Sequence, residues 1–312
     1  MPEHHALALR TSLGIDGDDD APYTAALSSA ADAIIFDLAS PEVHDHRGPA
    51  RRAAARHAPP LAATGRAVHA RVSDTRSGEL EADVAAVVSE HLDAVHLSGA
   101  ETPQDVRDAD VAIRRHEMRH DIVPGSVRLI PMVDSAAGLL ALQAMLTAVD
   151  RHSAVVLDAD GLCRDLDLSG PGGAEVSNPV LEHAMWDVAV AARAAELPWL
   201  IAALAVAPAE RAGLATRAQE FGASGATVGS EAEVRGFNAL FTPAPESVAA
   251  ARRVLREWDH LRGRGHMAGV VEIAGAPAEG PAARALVDRR SVRRARVLIA
   301  CAEAIERRER AR

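Results

Sequence analysis

Eight short apolar runs recur along the first three quarters of the chain, at residues 7–13, 33–38, 67–72, 94–97, 127–133, 154–157, 199–204 and 226–228. Several are unbroken Val, Ile, Leu and Ala without polar alternation, as in parallel strands covered on both faces. Alanine-rich segments at 80–91, 103–116, 136–149, 179–196 and 208–221 lie between them, each long enough for about three helical turns. Such βα alternation predicts a parallel α/β fold, and eight repeats predict a closed (β/α)8 TIM barrel. An open doubly wound sheet also alternates, but it brings a glycine-rich first turn, and none follows Leu13.

Beyond the eighth run the pattern changes. Residues 246–262 read as a charged helix, 263–283 are rich in Gly, Ala and Pro, and 288–312 return to helical spacing with Val292, Ala295, Leu298, Ile299 and Ala302 on one stripe. The chain therefore divides into a barrel domain over 1–262 and a connection with a C-terminal helical extension over 263–312. The stripe needs a surface to cover it, either the chain's own barrel or a neighbouring subunit; the second option makes a homo-oligomer.

The chain of 312 residues contains no lysine, so its 34 basic side chains are all arginine, against 44 acidic ones and a net charge of −10. Without a side-chain amine, Schiff-base aldolases, pyridoxal phosphate (PLP) enzymes and P-loop nucleotidases are excluded, and the acidic balance argues against nucleic acid as a partner. Cys163 and Cys301 are too few for a disulfide framework or a thiolate metal cluster. The first residues, Met1-Pro2-Glu3-His4-His5, have neither the basic nor the apolar region of a secretion signal. No apolar stretch approaches the roughly 18 residues of a membrane span. The expectation is a cytoplasmic protein that engages no membrane.

In such a barrel the chemistry comes from the carboxyl ends of the strands. The polar residues in or after the runs are Arg10, Asp37, Arg71, Ser98, Asp134, Asp158 with Asp160, and Ser230. Carboxylates and guanidiniums gathered on one rim suit a divalent cation together with an anionic substrate. Mg²⁺ commonly takes two protein carboxylates and completes its octahedron with water and substrate oxygens; Asp134 and Asp160 are the favoured pair. Each residue also has a plainer role open to it. Asp134 precedes a helix and suits an N-cap, Asp158 and Asp160 suit a solvated turn, and Arg71 suits a simple ion pair. His116 and His120 have a zinc-like spacing but no accompanying acidic base motif. No Gly-x-Ser-x-Gly elbow occurs, and Gly170-Pro171-Gly172-Gly173 reads as a loop rather than a phosphate cradle.

Several blocks then converge on one family. Arg10-Thr11-Ser12-Leu13 with Gly17 is similar to an opening Arg-Ser-x-Leu-x-x-Pro-Gly, residues 31–38 to a second-strand motif, and His69-Ala70-Arg71-Val72 to a third-strand Arg-Val-Asn. Ile130-Pro131-Met132-Val133-Asp134-Ser135 is similar to a fifth-strand Ile-Glu-Thr/Ser, residues 191–198 and 241–246 to later helices and junctions, and Leu286-Val287-Asp288 to a C-terminal Met-Val-Asp. Together they resemble the HpcH/HpaI aldolase and citrate lyase β-subunit-like superfamily over nearly the whole chain. The resemblance implies a barrel, usually trimeric, in which Mg²⁺ sits on two acids, Asp134 and Asp160 here. Arg71 would grip a carboxylate with Arg10 and Ser98 beside the substrate, Asp37 would join Arg71 as a catalytic residue, and Asp288 would carry a proton from a C-terminal segment that reaches a neighbouring active site. It implies carbon–carbon lyase chemistry on a small-molecule carboxylate or acyl thioester such as an acyl-CoA, through a cation-stabilised enolate.

Departures accompany the match. The family's Asp-Leu-Glu-Asp reads Asp37-Leu38-Ala39-Ser40, its Pro-Lys reads Ser98-Gly99, and its Ile-His-Pro reads Val228-Gly229-Ser230. Its sixth-strand Gly-Ala-Glu-Asp-Leu reads Asp158-Ala159-Asp160-Gly161-Leu162, in which Asp160 matches the ligand only if Gly161 is an insertion. These losses keep open a barrel that binds a ligand or serves a structural role without lyase activity, or a thioesterase on the same scaffold.

Overall fold

The computed structural model describes residues 9–40, 45–168, 178–272 and 284–311. Gly170-Pro171-Gly172-Gly173 lies outside them. Eight parallel strands close into a barrel in the order β1 (Thr11–Asp16), β2 (Ala33–Asp37), β3 (Ala67–Val72), β4 (Ala94–Leu97), β5 (Arg128–Val133), β6 (Val155–Asp158), β7 (Trp199–Ala202) and β8 (Gly225–Val228), with β8 pairing back onto β1. Helices follow the strands as α1 (Asp20–Ala26), α2 (Arg47–Ala62), α3 (Leu80–Val87), α4 (Pro103–Arg119), α5 (Ala136–Leu146), α6 (Ala159–Asp165) with α7 (Pro179–Ala194), α8 (Pro208–Glu220) and α9 (Glu231–Phe241). The expected (β/α)8 TIM barrel is therefore present.

Strand alternation sorts the side chains. Ile34, Phe36 and Leu38 of the β2 segment, and Val68, Ala70 and Val72 of β3, belong to the apolar layer between barrel and helices. The intervening Ile35, Asp37, His69 and Arg71 face the barrel axis. Helix starts are specified locally. Thr102 and Asp105 form a reciprocal capping box before α4 with Pro103 in its first turn, Ser135 accepts from Gly138 N–H at α5, and Asp158 accepts from Gly161 N–H at α6. Barrel closure needs Gly225, because a Cβ there would lie 1.9 Å from the Leu9 carbonyl oxygen.

Two buried ion pairs hold the amino-terminal side. Arg10 meets Asp32, just before β2, through Nε at 2.8 Å and Nη2 at 3.0 Å, with the Arg10 backbone N–H adding a third bond at 3.0 Å. Arg151 straddles Glu117, which is 0% exposed, with N–O distances of 3.2 and 3.1 Å.

A second compact unit begins at Thr242, not after Arg262, because the charged helix α10 (Pro245–Gly263) packs on α11 (Arg289–Ala311) and on a short antiparallel ribbon. The ribbon pairs β9 (Gly269–Glu272) with β10 (Arg284–Val287), and Trp258, Leu261, Val287 and Val292 form its core. The stripe expected on the last helix is thus covered in part within the chain, at Val292 and Ala295. Among the described residues no helix is long and apolar enough to cross a membrane.

Replacing Asp32 with Ala removes the carboxylate that the buried Arg10 cation binds through three N–H groups, a change that costs about 3–5 kcal/mol. Urea unfolding should show that loss; a change below about 1 kcal/mol would remove the pair from the barrel's stabilising set.

Candidate active site

The carboxyl ends of β2 to β6 bring five polar side chains into one cluster with Arg71 at its centre. Arg71 Nη1 donates to Asp37 Oδ2 at 3.1 Å, Nε donates to Ser98 Oγ at 2.8 Å, and Nη2 stands 3.7 Å from Asp158 Oδ2. Burial disfavours the Arg71 cation, but the charges of Asp37 and Asp158 outweigh it and hold the guanidinium above its ordinary value. Asp37 is itself held in place, its Oδ1 accepting from the N–H groups of Ala39 and Ser40 at 3.0 and 2.9 Å.

Asp134 follows β5 and does not cap α5, a task that falls to Ser135. Its Oδ2 accepts from Gly99 N–H at 2.8 Å. Burial raises its proton affinity, the Gly99 N–H opposes that, and the negative charge of Asp158 adds to it. Asp158 splits its carboxylate: Oδ1 accepts from Gly161 N–H at 3.1 Å while Oδ2 faces Arg71. Asp160, two residues on, turns to the β7–α8 connection, where its Oδ2 accepts from Ala205 N–H at 2.8 Å; Oδ1 is buried with no hydrogen-bond partner. Burial likewise raises the proton affinity of Asp160. That connection is pinned by Arg211, which donates to the carbonyls of Ala203, Leu204 and Val206.

Of the residues expected at the site, Asp37, Arg71, Ser98 and Asp134 converge. Arg10 does not: β1 begins at Thr11, so Arg10 lies at the opposite end of the barrel, bound to Asp32. Ser230 hydrogen-bonds Glu233 at 2.8 Å at the start of α9. Asp288 belongs to the C-terminal unit, where its Oδ1 accepts from Arg290 and Ser291 N–H at 2.9 and 2.8 Å, and these amides hold its carboxyl below the ordinary value. His116 hydrogen-bonds Glu81 at 3.2 Å on the outer helices rather than joining a zinc site with His120.

One feature escaped the sequence reading. One layer below Arg71 and Ser98, His69 Nδ1 and His96 Nε2 share a hydrogen bond of 2.9 Å inside the barrel. Burial, His69 and the Arg71 charge push His96 far below its usual range, so it is neutral at physiological pH. The available signal was the two-residue spacing that puts His69 with Arg71 and His96 with Ser98 on the inward face.

Among the described residues no three His, Cys, Asp or Glu side chains form a ready-made metal cage. The fit of Mg²⁺ rests instead on two carboxylates with an open coordination sphere. A Cβ at Gly161 would lie 2.6 Å from Asp134 Cβ and 3.1 Å from Asp158 Oδ2, so only glycine lets the β6–α6 turn pack this closely against Asp134. Asp37, Asp134 and Asp158 act on Arg71 together, and Asp160 lies on the same turn as Asp158.

An acid-lined barrel mouth with an arginine at its centre defines a class of α/β barrels that handle small anions. Residues 10–233 match the HpcH/HpaI aldolase/citrate lyase family model, and the chain belongs to that family. It is 27% identical to citrate lyase subunit beta of Escherichia coli over 278 residues, covering 87% of this chain and 89% of that protein. Among solved structures it is similar to a citrate lyase of Burkholderia xenovorans, with a TM-score of 0.69, 16% identity and coverage of 95% and 92%. It is also similar to CitE of Mycobacterium tuberculosis in complex with magnesium, acetoacetate and coenzyme A, with a TM-score of 0.63, 20% identity and coverage of 94% and 97%.

The raised proton affinity of Asp134 has a stability consequence. A carboxyl that binds its proton more tightly folded than unfolded lowers stability once ionised, and has no such effect below its unfolded value near 3.8. In a chelating buffer Asp134→Asn should therefore melt higher than the wild type at pH 7–8, with the difference closing as pH falls to about 4. Equal or lower melting at pH 7–8 would contradict this assignment.

Proposed function

We propose that the chain is a divalent-cation-dependent carbon–carbon lyase acting on a small carboxylate or an acyl thioester such as an acyl-CoA. The observation that carries this reading is the placement of Arg71 among Asp37, Ser98 and Asp158, with the Asp134 side chain packed against Gly161 of the same turn. Family membership and the magnesium, acetoacetate and coenzyme A held by the M. tuberculosis protein support it.

Arg71 binds and orients the substrate carboxylate. Its Nη2 makes no contact closer than the 3.7 Å approach to Asp158, so a bidentate anion can take that edge. Ser98 fixes the plane of the guanidinium through Nε, and Asp37 fixes its height through Nη1. Mg²⁺ would be held by Asp134 and a carboxylate of the β6–α6 turn, for which Asp160 and Asp158 are the two choices. When bound, the cation supplies positive charge to an enolate oxygen as the carbon–carbon bond breaks. Asp288 is the proton carrier; its capping amides keep it ionised but lower its proton affinity, so it would have to leave them to accept a proton. It would be delivered by the C-terminal unit within a homo-oligomer, a trimer by analogy with the family.

A second reading is a barrel that binds a carboxylate ligand without cleaving it. The pairing of Arg71 with Asp37 and Ser98 favours it, because the arginine is already hydrogen-bonded before any substrate arrives.

Turnover of a panel of β-hydroxyacyl and β-ketoacyl thioesters with Mg²⁺ or Mn²⁺ separates the two. The lyase reading predicts release of a shorter acyl thioester, and a loss of at least about 100-fold in kcat/KM for Arg71→Met, the scale of a lost charge-assisted bidentate contact. Carboxylate binding with no turnover and no cation dependence would favour the second reading.

A further inference from the structure

Arg47 opens α2, and its Nη1 donates to Ser73 Oγ at 2.5 Å and to the Leu38 carbonyl at 3.4 Å. Leu38 directly follows Asp37, and Ser73 stands two residues beyond Arg71, so the Arg47 guanidinium reaches the strand ends that carry the anchor described above. Among the described residues no carboxylate comes within ion-pair distance of Arg47, and its Nε and Nη2 have no partner. Other arginines of the rim differ: Arg76 pairs with Glu101 at 2.9 Å, and Arg211 with Glu233 at 2.5 Å. The helix behind Arg47 adds to its charge. α2 is 16 residues long, with no side-chain cap at His46 and no acidic residue in its first turn, so its free N–H groups and dipole present further positive charge here. On the same connection Ser40 Oγ is buried without a hydrogen-bond partner among the described residues, the residue being 7% exposed. The Ser40 N–H is bound to Asp37 Oδ1, which keeps the residue beside the site.

We propose that Arg47 is a second oxyanion anchor of the barrel mouth, so that the ligand carries two anionic groups: a carboxylate on Arg71 and a second oxyanion, carboxylate or phosphate, on Arg47. This deepens the carboxylate reading of Arg71 given above and rests on it. A half-buried guanidinium without a counter-charge has lost hydration that no protein group replaces, and an arriving oxyanion replaces it. Two of its nitrogens remain for a fork that matches a carboxylate or a phosphate. Because Nη1 stays on Ser73, the side chain is oriented before the ligand arrives and loses little freedom on binding. A singly charged acid fills the Arg71 subsite alone. Selection for a doubly charged ligand therefore resides in Arg47.

Isothermal calorimetry on the full-length protein in Mg²⁺ buffer tests the assignment without reference to activity. It compares succinate with butyrate and glutarate with valerate, pairs that differ by one carboxylate, and 3-phosphonopropionate with succinate. The wild type should bind at least one dianion about tenfold or more tighter than its singly charged counterpart, the scale of one charge-assisted contact. Arg47→Gln keeps an N–H donor for Ser73 but no charge, and should erase that preference while leaving monoanion affinity within about threefold of the wild type. Arg47→Lys, which restores the charge, should recover most of the preference. Arg71→Met should weaken monoanion and dianion alike. Tighter binding of 3-phosphonopropionate than of succinate identifies a phosphate as the second group, and the reverse order a carboxylate. Circular dichroism melts establish that each variant is folded, and Arg47→Met replaces Arg47→Gln if that one unfolds. Equal binding of monoanion and dianion by the wild type, or a preference that survives loss of the Arg47 charge, would overturn the assignment while leaving the Arg71 reading intact. Affinities untouched by Arg71→Met would overturn both.

Discussion

Burying several carboxylates at the mouth of a closed barrel is the constraint that organises this molecule. Charges that leave water need counter-charges within a few ångströms, and at the barrel mouth Arg71 supplies one. Asp37 takes its Nη1, Ser98 takes its Nε, and Asp158 stands within ion-pair distance of Nη2. Asp134 accepts from Gly99 N–H and feels the Arg71 charge, yet burial and the Asp158 charge raise its proton affinity. That excess of carboxylate charge is what a bound cation would offset.

The rest of the fold serves to keep these groups from relaxing apart. Inward positions of β2 and β3 place Asp37 and Arg71 in register and Ser98 follows directly on β4, while outward positions knit the strands to their helices in a continuous apolar layer. Beneath the site His69 and His96 share a hydrogen bond inside the barrel, and the neutral His96 is a fitting floor under a guanidinium because a protonated imidazole there would repel it. At the other end Arg10–Asp32 and Arg151–Glu117 satisfy buried charge where no chemistry is needed. The same two residue types thus make a structural pair at one end and an incompletely paired cluster at the other.

Much of the fold was legible because parallel strands buried on both faces read as unbroken apolar runs; β2, β3 and β4 coincide closely with 33–38, 67–72 and 94–97. The first run misled by position. Read as 7–13, it made Arg10 a mid-strand residue, whereas the strand runs on through Gly14 and Ile15 to Asp16 and leaves Arg10 at its amino end. The domain boundary was misplaced for a similar reason: α10 is charged enough to look like a barrel exterior helix, yet Val254, Leu255, Trp258 and Leu261 face the ribbon and α11. At the site, spacing identified Arg71, Ser98 and Asp134, but whether Asp158 or Asp160 faces Asp134 depends on which carboxylate caps α6, a detail set by helix geometry and not by residue identity.

The central claim, that the acids at the barrel mouth take a divalent cation beside Arg71, is tested most directly by diffraction from crystals grown with Mn²⁺, using its anomalous signal. The account predicts a single strong peak at the barrel mouth within about 2.0–2.3 Å of an Asp134 carboxylate oxygen, consistent with hard-cation coordination distances. No peak at the barrel mouth would contradict it.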